Sequence, residues 1–406
     1  MAIVVVGGLA VASAVGGPKS SPVRSSSATR STRVAGASLS TRNAGLAADL
    51  ASAVQFSPPS GTAGTALDQT VAVTATQGRL LAVRASTAAG QPLGGTVSAS
   101  GARWTSPGPL VPGATYRLTA TVAGHGGVTA QSTSTFTTLT PTRMVTADIS
   151  PESGSTVGVG EPISIVFDRS VPHAARAAVL SHLAVSMSHV VPGGWHWFSS
   201  HELHFRPEAY WPSGDRVTVT ADLAGWDVGE GMWGAGLTKV HFTIGADNVA
   251  TADLATEHMT VTSNGKVVWV LPISAGRTQY PTMDGVHITL DKEPVVHMVS
   301  STVGIPVTSV DGYDEYVHND VRISDSGEYV HAAPWSVGAQ GVVNVSHGCI
   351  NLSDQYSSLF YGFSQMGDVV NVVNGPRPPA FGDHGVMDWT TPWSDWAPAT
   401  VTAVPA

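Results

Sequence analysis

The chain has 406 residues, only 12% of them charged, with a formal net charge of −9, 44 glycines, 26 prolines and a single cysteine. That length holds two to four domains, and the composition suits short strands joined by Gly/Pro turns rather than long charged helices. With four lysines (Lys19, Lys239, Lys266, Lys292) and no basic cluster it is no nucleic-acid partner, and one cysteine makes neither an intramolecular disulfide nor a CxxC metal site.

Residues 3–15, from Ile3-Val4-Val5-Val6 to Val15, form an apolar run of signal-peptide length. It falls short of the roughly 20 apolar residues of a membrane span. The run reads as a signal peptide or truncated signal anchor, with a buried strand as the alternative. It lacks the usual basic n-region, as expected if further residues lie upstream. No cysteine lies near it, so it is not a lipoprotein anchor. Residues 16–45, rich in Ser, Arg and Ala, read as a disordered spacer. Export to the cell envelope, and any membrane contact, is therefore expected through residues 1–45 alone.

From about Leu46 the pattern is all-β. Period-two alternation appears at Thr70-Val71-Ala72-Val73, at residues 80–83, at Tyr116-Arg117-Leu118 to Val122 and at Ser134-Thr135-Phe136, with Gly/Pro turns between. This predicts a small antiparallel sandwich. The plan then repeats. Ser57-Pro58-Pro59-Ser60-Gly61 has a partner 93 residues later in Ser150-Pro151-Glu152-Ser153-Gly154. Pro112-Gly113 to Leu118 resembles Pro212-Ser213-Gly214 to Val219, and Thr135-Phe136-Thr137 matches His241-Phe242-Thr243. The matches keep their order, which predicts tandem sandwiches over 46–142 and 143–246. Neither gathers catalytic residue types, so both are expected to be spacers. Trp195, Trp197, Trp211, Trp226 and Trp233 are expected in core or interdomain packing, with a sugar-binding face as the alternative.

A third unit, 250–375, opens on a hairpin in which Asn264-Gly265 separates two apolar runs. Strands are predicted at 286–290 and 295–299, a polar turn-rich stretch around Asn319-Asp320 and residues 324–327, and a strand at Tyr329-Val330-His331. Residues 353–363 are the best helix candidate, with Leu359, Phe360 and Phe363 on one face. Residues 368–373 read as a buried closing strand. The proline- and tryptophan-rich extension, 376–406, is expected to pack on this unit.

The only cysteine sits in Ser346-His347-Gly348-Cys349-Ile350-Asn351, 18 positions after His331. A lone cysteine is ordinarily a small buried hydrophobe; its neighbours argue for chemistry. A thiol is nucleophilic as a thiolate, and a nearby histidine either takes its proton or stabilises the thiolate as imidazolium. His331 ends a strand, a rigid place for a base. Gly348 permits a bend that turns backbone N–H groups toward a tetrahedral intermediate. His347 suits a hydrogen-bonding role as well as a catalytic one. A zinc site from His331, His347 and Cys349 is conceivable from ligand types, but no HExxH or acidic partner motif accompanies them.

These two segments, His331-Ala332-Ala333-Pro334-Trp335-Ser336 and Ser346 to Asn351, resemble the signature of the L,D-transpeptidases, peptidoglycan enzymes with a YkuD-type catalytic domain. Two sandwiches ahead of it and an aromatic tail after it are similar to actinobacterial and mycobacterial members, so the resemblance spans roughly residues 46–400. It implies a mainly β fold: two tandem Ig-like domains, a β-rich catalytic domain with one short helix, and a C-terminal extension. It implies Cys349 as acyl-accepting nucleophile and His331 as its base, with Ser346, His347, Gly348 and Cys349 in the site and the last three lending backbone donors. It implies that Asn351 supports the loop, that Tyr313 and Met298 fall where the family has a lid and a substrate-channel residue, and that Trp335 lines the substrate pocket, where simple packing is the alternative for Tyr313 and Trp335. One departure is Ala332, where relatives often carry Ser; if only the carbonyl orients the imidazole, Ala serves equally.

The activity so implied needs no cofactor. Cys349 attacks the carbonyl at the L-centre of meso-diaminopimelate in a donor tetrapeptide stem, D-Ala leaves, and a neighbouring diaminopimelate amine resolves the thioester to a 3→3 cross-link. Carbapenem-type β-lactams are implied covalent inhibitors. Other acceptors remain open: water (a carboxypeptidase), a free D-amino acid (an exchanger) or a protein lysine (an anchoring enzyme). So does a wall-binding spacer protein with an inactive catalytic unit.

Overall fold

The computed structural model describes residues 31–106, 108–396 and 404–405; the apolar run at 3–15 lies outside them. No helix among the described residues is long and apolar enough to cross a membrane. The spacer expectation fails over its second half. Residues Ser31–Ser52 form a helix, because the stretch is rich in Ala and Leu and free of proline. Its last turn buries Leu50 against Gly78 and Gly124 of the first sandwich.

The first sandwich pairs strands Val54–Ser57, Ala72–Ala75, Arg103–Thr105 and Thr96–Val97 in one sheet and Arg79–Thr87, Thr115–Ala123 and Thr129–Thr137 in the other. Alternation does the work: Tyr116, Leu118, Ala120 and Val122 point inward and join Trp104, Val73 and Phe136 in one core. The second sandwich has its own core around Phe167, Met187, Phe205, Trp211 and Phe242. The sequence repeat corresponds to equivalent contacts. Gly61 N–H donates to Thr135 O and Gly154 N–H to His241 O; Gly113 N–H donates to Leu139 O and Gly214 N–H to Ile244 O. None of the five tryptophans of the second sandwich is exposed: Trp195, Trp211 and Trp233 are buried and Trp197 and Trp226 partly so. They serve packing rather than a sugar-binding face.

The third unit stacks two sheets. One runs Lys266–Pro272, His258–Ser263, Asn248–Asp253, Val369–Val373, Gly285–Ile288; the other runs Asp291–Val299, Asp314–Arg322, Tyr329–Ala332, Ile350–Leu352. Asn264 and Gly265 take φ of +49° and +73°, the left-handed pair that a two-residue hairpin turn requires. Asn319-Asp320 is not a turn: both lie within strand Asp314–Arg322. The polar signal there reflects a local irregularity, since Asn319 has φ +57° and faces Pro294, which has no N–H to donate. The helix is Asp354–Phe363, capped by Ser353 accepting from Tyr356 N–H. Phe360 is buried, but Leu359 is exposed, so the inner face runs through Ser357 and Phe360 rather than Leu359.

The second sandwich and third unit touch closely. Gly158 and Gly160 donate to Met366 O and Gly367 O, and a Cβ at Gly158 would lie 2.2 Å from Asp368 N. The C-terminal extension spans this seam instead of resting only on the third unit. Its first part runs along the third unit, through Arg377 O accepting from Asp284 N–H and Asp383 accepting from Asp325 N–H. Its tryptophans dock on the second sandwich. Trp396 and Trp389 donate from Nε1 to Gly194 O and Gly160 O. The buried Arg206 guanidinium lies 4.7, 5.2 and 4.5 Å from the rings of Trp389, Trp393 and Trp396. An arginine with its hydrogen bonds satisfied by Asp388 O and Thr391 O offers a flat cation to three π-faces, which is why the aromatics go there.

Candidate active site

Strand Tyr329–Ala332 pairs in parallel with Ile350–Leu352, in the register Val330↔Ile350 and His331↔Asn351. The pairing removes the 18-residue separation in sequence: Cys349 precedes one strand and His331 stands in the other. A cavity of about 260 Å³ gathers Met298, Tyr313, Glu315, His331, Trp335, Val345, Ser346, His347, Cys349 and Asn351. A second, of about 400 Å³, shares Tyr313, His347 and Cys349 with it and adds Tyr280, Thr302, Glu328 and Arg377. Every expected site residue except Gly348 thus lines the first cavity. A larger cavity of about 450 Å³ lies at the seam between the second sandwich and the third unit. It holds no thiol, and its histidines are tied up in ion pairs with carboxylates, so nucleophilic chemistry belongs to the two that meet at Cys349.

His331 is buried, and its Nδ1 lies 2.9 Å from Ala332 O. A carbonyl only accepts, so Nδ1 carries the hydrogen and Nε2 keeps its lone pair. Burial holds this imidazole down to about 4, and it is neutral at pH 7. Cys349 is partly exposed toward the cavities, with its thiol donating to Gly327 O at 3.8 Å. Burial pushes the thiol up to about 12, against the Tyr329 backbone hydrogen bond and with added repulsion from Glu328, Asp320 and Glu315. The resting pair is therefore a thiol and a neutral base, not a thiolate–imidazolium pair.

The turn holding Cys349 is fixed by Ser346. Its hydroxyl donates to Cys349 O at 2.6 Å and accepts from Gly348 N–H at 3.1 Å. Gly348 has φ +132°, a conformation that side chains disfavour, and its carbonyl accepts from Thr282 Oγ1 at 2.6 Å. This corrects one expectation: the Gly348 N–H is spent inside the turn on Ser346, and is no donor to a substrate oxyanion. Asn351 is buried and donates through Nδ2 to Ser336 Oγ.

His347 is clamped on all sides. Its Nε2 lies 3.0 Å from Arg277 Nη2, and a guanidinium only donates, so Nε2 accepts. Tyr280 and Tyr313 flank the ring at 5.1 and 5.0 Å. Burial, then the Arg277 charge, lowers its pKa, while Asp311 and a backbone hydrogen bond to it work the other way. With Nε2 accepting from Arg277 and the ring held between two tyrosines, His347 is placed to orient the loop rather than to carry protons. Among the described residues no three His, Cys, Asp or Glu side chains are grouped to hold a metal. Arg277 also pairs with Asp311 at 2.5 Å, which accepts from Tyr280 Oη at 3.2 Å. Arg277, Tyr280, Thr282, Asp311, Glu315 and Glu328 were not singled out from sequence. The first three sit in Gly276-Arg277-Thr278-Gln279-Tyr280-Pro281-Thr282, a polar, turn-forming run soon after the strand Lys266–Pro272, and that was the available signal.

A bacterial Ig domain model matches residues 62–227 and an L,D-transpeptidase catalytic domain model matches residues 247–372. L,D-transpeptidase 2 of Mycobacterium tuberculosis is 40% identical over 336 residues, covering 83% of this chain and 82% of its own. L,D-transpeptidase 5 of the same species is 32% identical over 327 residues, covering 78% and 70%. A solved structure of an LD transpeptidase in complex with imipenem is 36% identical, with a TM-score of 0.50, covering 57% of this chain and 100% of the other.

Proposed function

The chain belongs to the L,D-transpeptidase family, and from that premise we propose that it cross-links peptidoglycan stems through a thioester on Cys349. The observation that carries this reading is the His331 imidazole, held by Ala332 O with Nε2 left unprotonated and lining one cavity together with the single thiol, Cys349.

In the first step the Cys349 sulfur bonds to the carbonyl carbon at the L-centre of diaminopimelate in a donor tetrapeptide, and the thiol proton passes to His331 Nε2. The tetrahedral oxyanion finds its donors in the N–H groups of His347 and Cys349, since Gly348 is committed to Ser346. The C–N bond breaks and His331 returns the proton to the departing D-Ala. In the second step an acceptor amine bonds to the thioester carbon, gives its proton to His331, and the C–S bond breaks as the sulfur recovers a proton. A diaminopimelate amine as acceptor gives a 3→3 link. A neutral starting pair suits this, because charge appears only along the reaction and is then stabilised by fixed dipoles. Two cavities sharing Cys349, Tyr313 and His347 favour transfer between two stems over hydrolysis of one. Met298 and Trp335 line the smaller one, and Trp335, 57% exposed, sits where a stem peptide enters. Residues 1–45 would export the protein, and the sandwiches (46–142 and 143–246) would set the reach of the catalytic unit within the envelope.

The same thiol is the proposed target of carbapenem-type β-lactams. Intact-mass measurement after incubation with a carbapenem should show one adduct per chain, absent in Cys349→Ala. A folded protein that takes up no adduct contradicts the proposal.

A further inference from the structure

Arg377 belongs to the C-terminal extension and lines the larger of the two cavities that meet at Cys349. Its Nη1 donates to Glu328 Oε1 at 2.8 Å, and among the described residues no other acceptor meets the guanidinium. An arginine has five N–H donors, so most of this fork is uncommitted. The side chain is 37% exposed. Among the described residues it is the only lysine or arginine that lines either cavity. Arg277, by contrast, is spent on Asp311 and His347.

Glu328 anchors that arginine beside the reacting turn. The carboxylate is buried, and its Oε1 also accepts from Met283 N–H at 3.0 Å. A Cβ at Gly348 would stand 3.6 Å from the same oxygen. Gly327, the preceding residue, offers its carbonyl to the Cys349 thiol. A cation with free donors is thus held against the loop that carries the sulfur.

The reaction places the donor's acyl part there. His331 gives a proton to the leaving nitrogen and takes one from the attacking nitrogen, so both occupy the smaller cavity in turn. The acyl part stays on the sulfur through both steps and extends into the larger cavity, which His331 does not line. Joined through the L-centre, diaminopimelate and lysine differ by one group. Diaminopimelate carries a carboxylate on the carbon that bears its distal amine; lysine does not. A guanidinium fork matches that carboxylate with charge-assisted hydrogen bonds, and meets only a like charge at the end of lysine.

We infer that Arg377 determines donor specificity, binding the carboxylate at the distal centre of diaminopimelate and so favouring diaminopimelate donors over lysine donors. The inference rests on the acyl-transfer reading and sharpens it. The bonds made and broken are those of the first step above, and Arg377 exchanges no proton. Both donors release the same D-Ala, so the carboxylate of the leaving group cancels from the comparison.

The test is a competition of two donors for one pool of enzyme. The full chain is mixed with equal concentrations of two tetrapeptide stems that differ only in carrying diaminopimelate or lysine before the D-Ala. The two thioesters on Cys349 are counted by intact mass during the first turnover. The wild type should favour the diaminopimelate adduct. Arg377→Met should lower that ratio by about tenfold, the scale of one charge-assisted hydrogen bond in a half-exposed site. Arg377→Lys, which keeps the charge, should retain a preference. Arg377→Met leaves Glu328 buried without its cation. If that variant does not fold, the double variant Arg377→Met/Glu328→Gln removes both charges and is read in the same way. An unchanged ratio, even with both donors slowed, assigns Arg377 to supporting the cysteine turn and overturns this inference alone, because the acyl-enzyme has formed; so does a wild type without preference. A wild type that forms neither thioester overturns the acyl-transfer reading and this inference with it.

Discussion

The Nδ1 atom of His331 lies 2.9 Å from the carbonyl oxygen of Ala332, so the main chain, not the side chain, of residue 332 fixes the tautomer of the base. With the carbonyl as the acceptor, Ala at this position supplies what orienting the imidazole needs. Ala332→Ser is predicted to change kcat/KM for β-lactam acylation by less than about fivefold, since the acceptor oxygen is untouched. A gain of two orders of magnitude would show that a hydroxyl is needed.

The resting protonation states predict the pH profile. His331 is held down to about 4 and Cys349 up to about 12, each chiefly by burial. A lowered histidine pKa means that the neutral base persists as pH falls, until it is protonated near 4. Acylation should therefore be level across the neutral range and fall only toward pH 4, without a step near the ordinary thiol value of 8.5. Stopped-flow acylation against pH checks this. Loss of the base in His331→Ala should cost on the order of 10²–10⁴ in rate.

Arg277 holds His347 neutral by donating to Nε2. Replacing it by Met removes both a donor and a positive charge that lowers the pKa of His347, so the histidine should titrate at higher pH. NMR titration of the His347 ring should show the upward shift. Acylation should slow by about 10²-fold, the scale expected when a loop bearing reactive groups is displaced by about 1 Å.

Much of this site was legible in the sequence, and the reason is local. Alternation at Tyr116 to Val122, the Asn264-Gly265 turn and the crowding of Ser346, His347 and Gly348 around the one thiol all act over a few residues. The partners that tune the site are remote in sequence. Arg277 meets His347 across 70 positions, and Glu315 reaches the cavity only through the pairing of two strands, which no local pattern reveals. The helix Ser31–Ser52 escaped notice because its few large apolar residues resemble a spacer until Leu50 enters the sandwich core. The tryptophan tail is expected on the third unit, whereas its aromatics meet the second sandwich, because Arg206, a single cation there, receives them.

That dependence is testable. Trp396 is fully buried and donates to Gly194 O. Trp396→Ala should destabilise the second sandwich and its seam by about 3–5 kcal/mol, read as a lowered first transition in calorimetry. A variant as stable as the wild type would mean that the extension contributes no packing energy.

The measurement that bears most directly on the central claim is incubation with a disaccharide-free tetrapeptide stem, followed by mass analysis of all products. The account predicts released D-Ala, a thioester on Cys349 and a stem dimer linked through diaminopimelate, all lost in Cys349→Ala. Free tripeptide and D-Ala with no dimer, or a dimer still formed by Cys349→Ala, would contradict it.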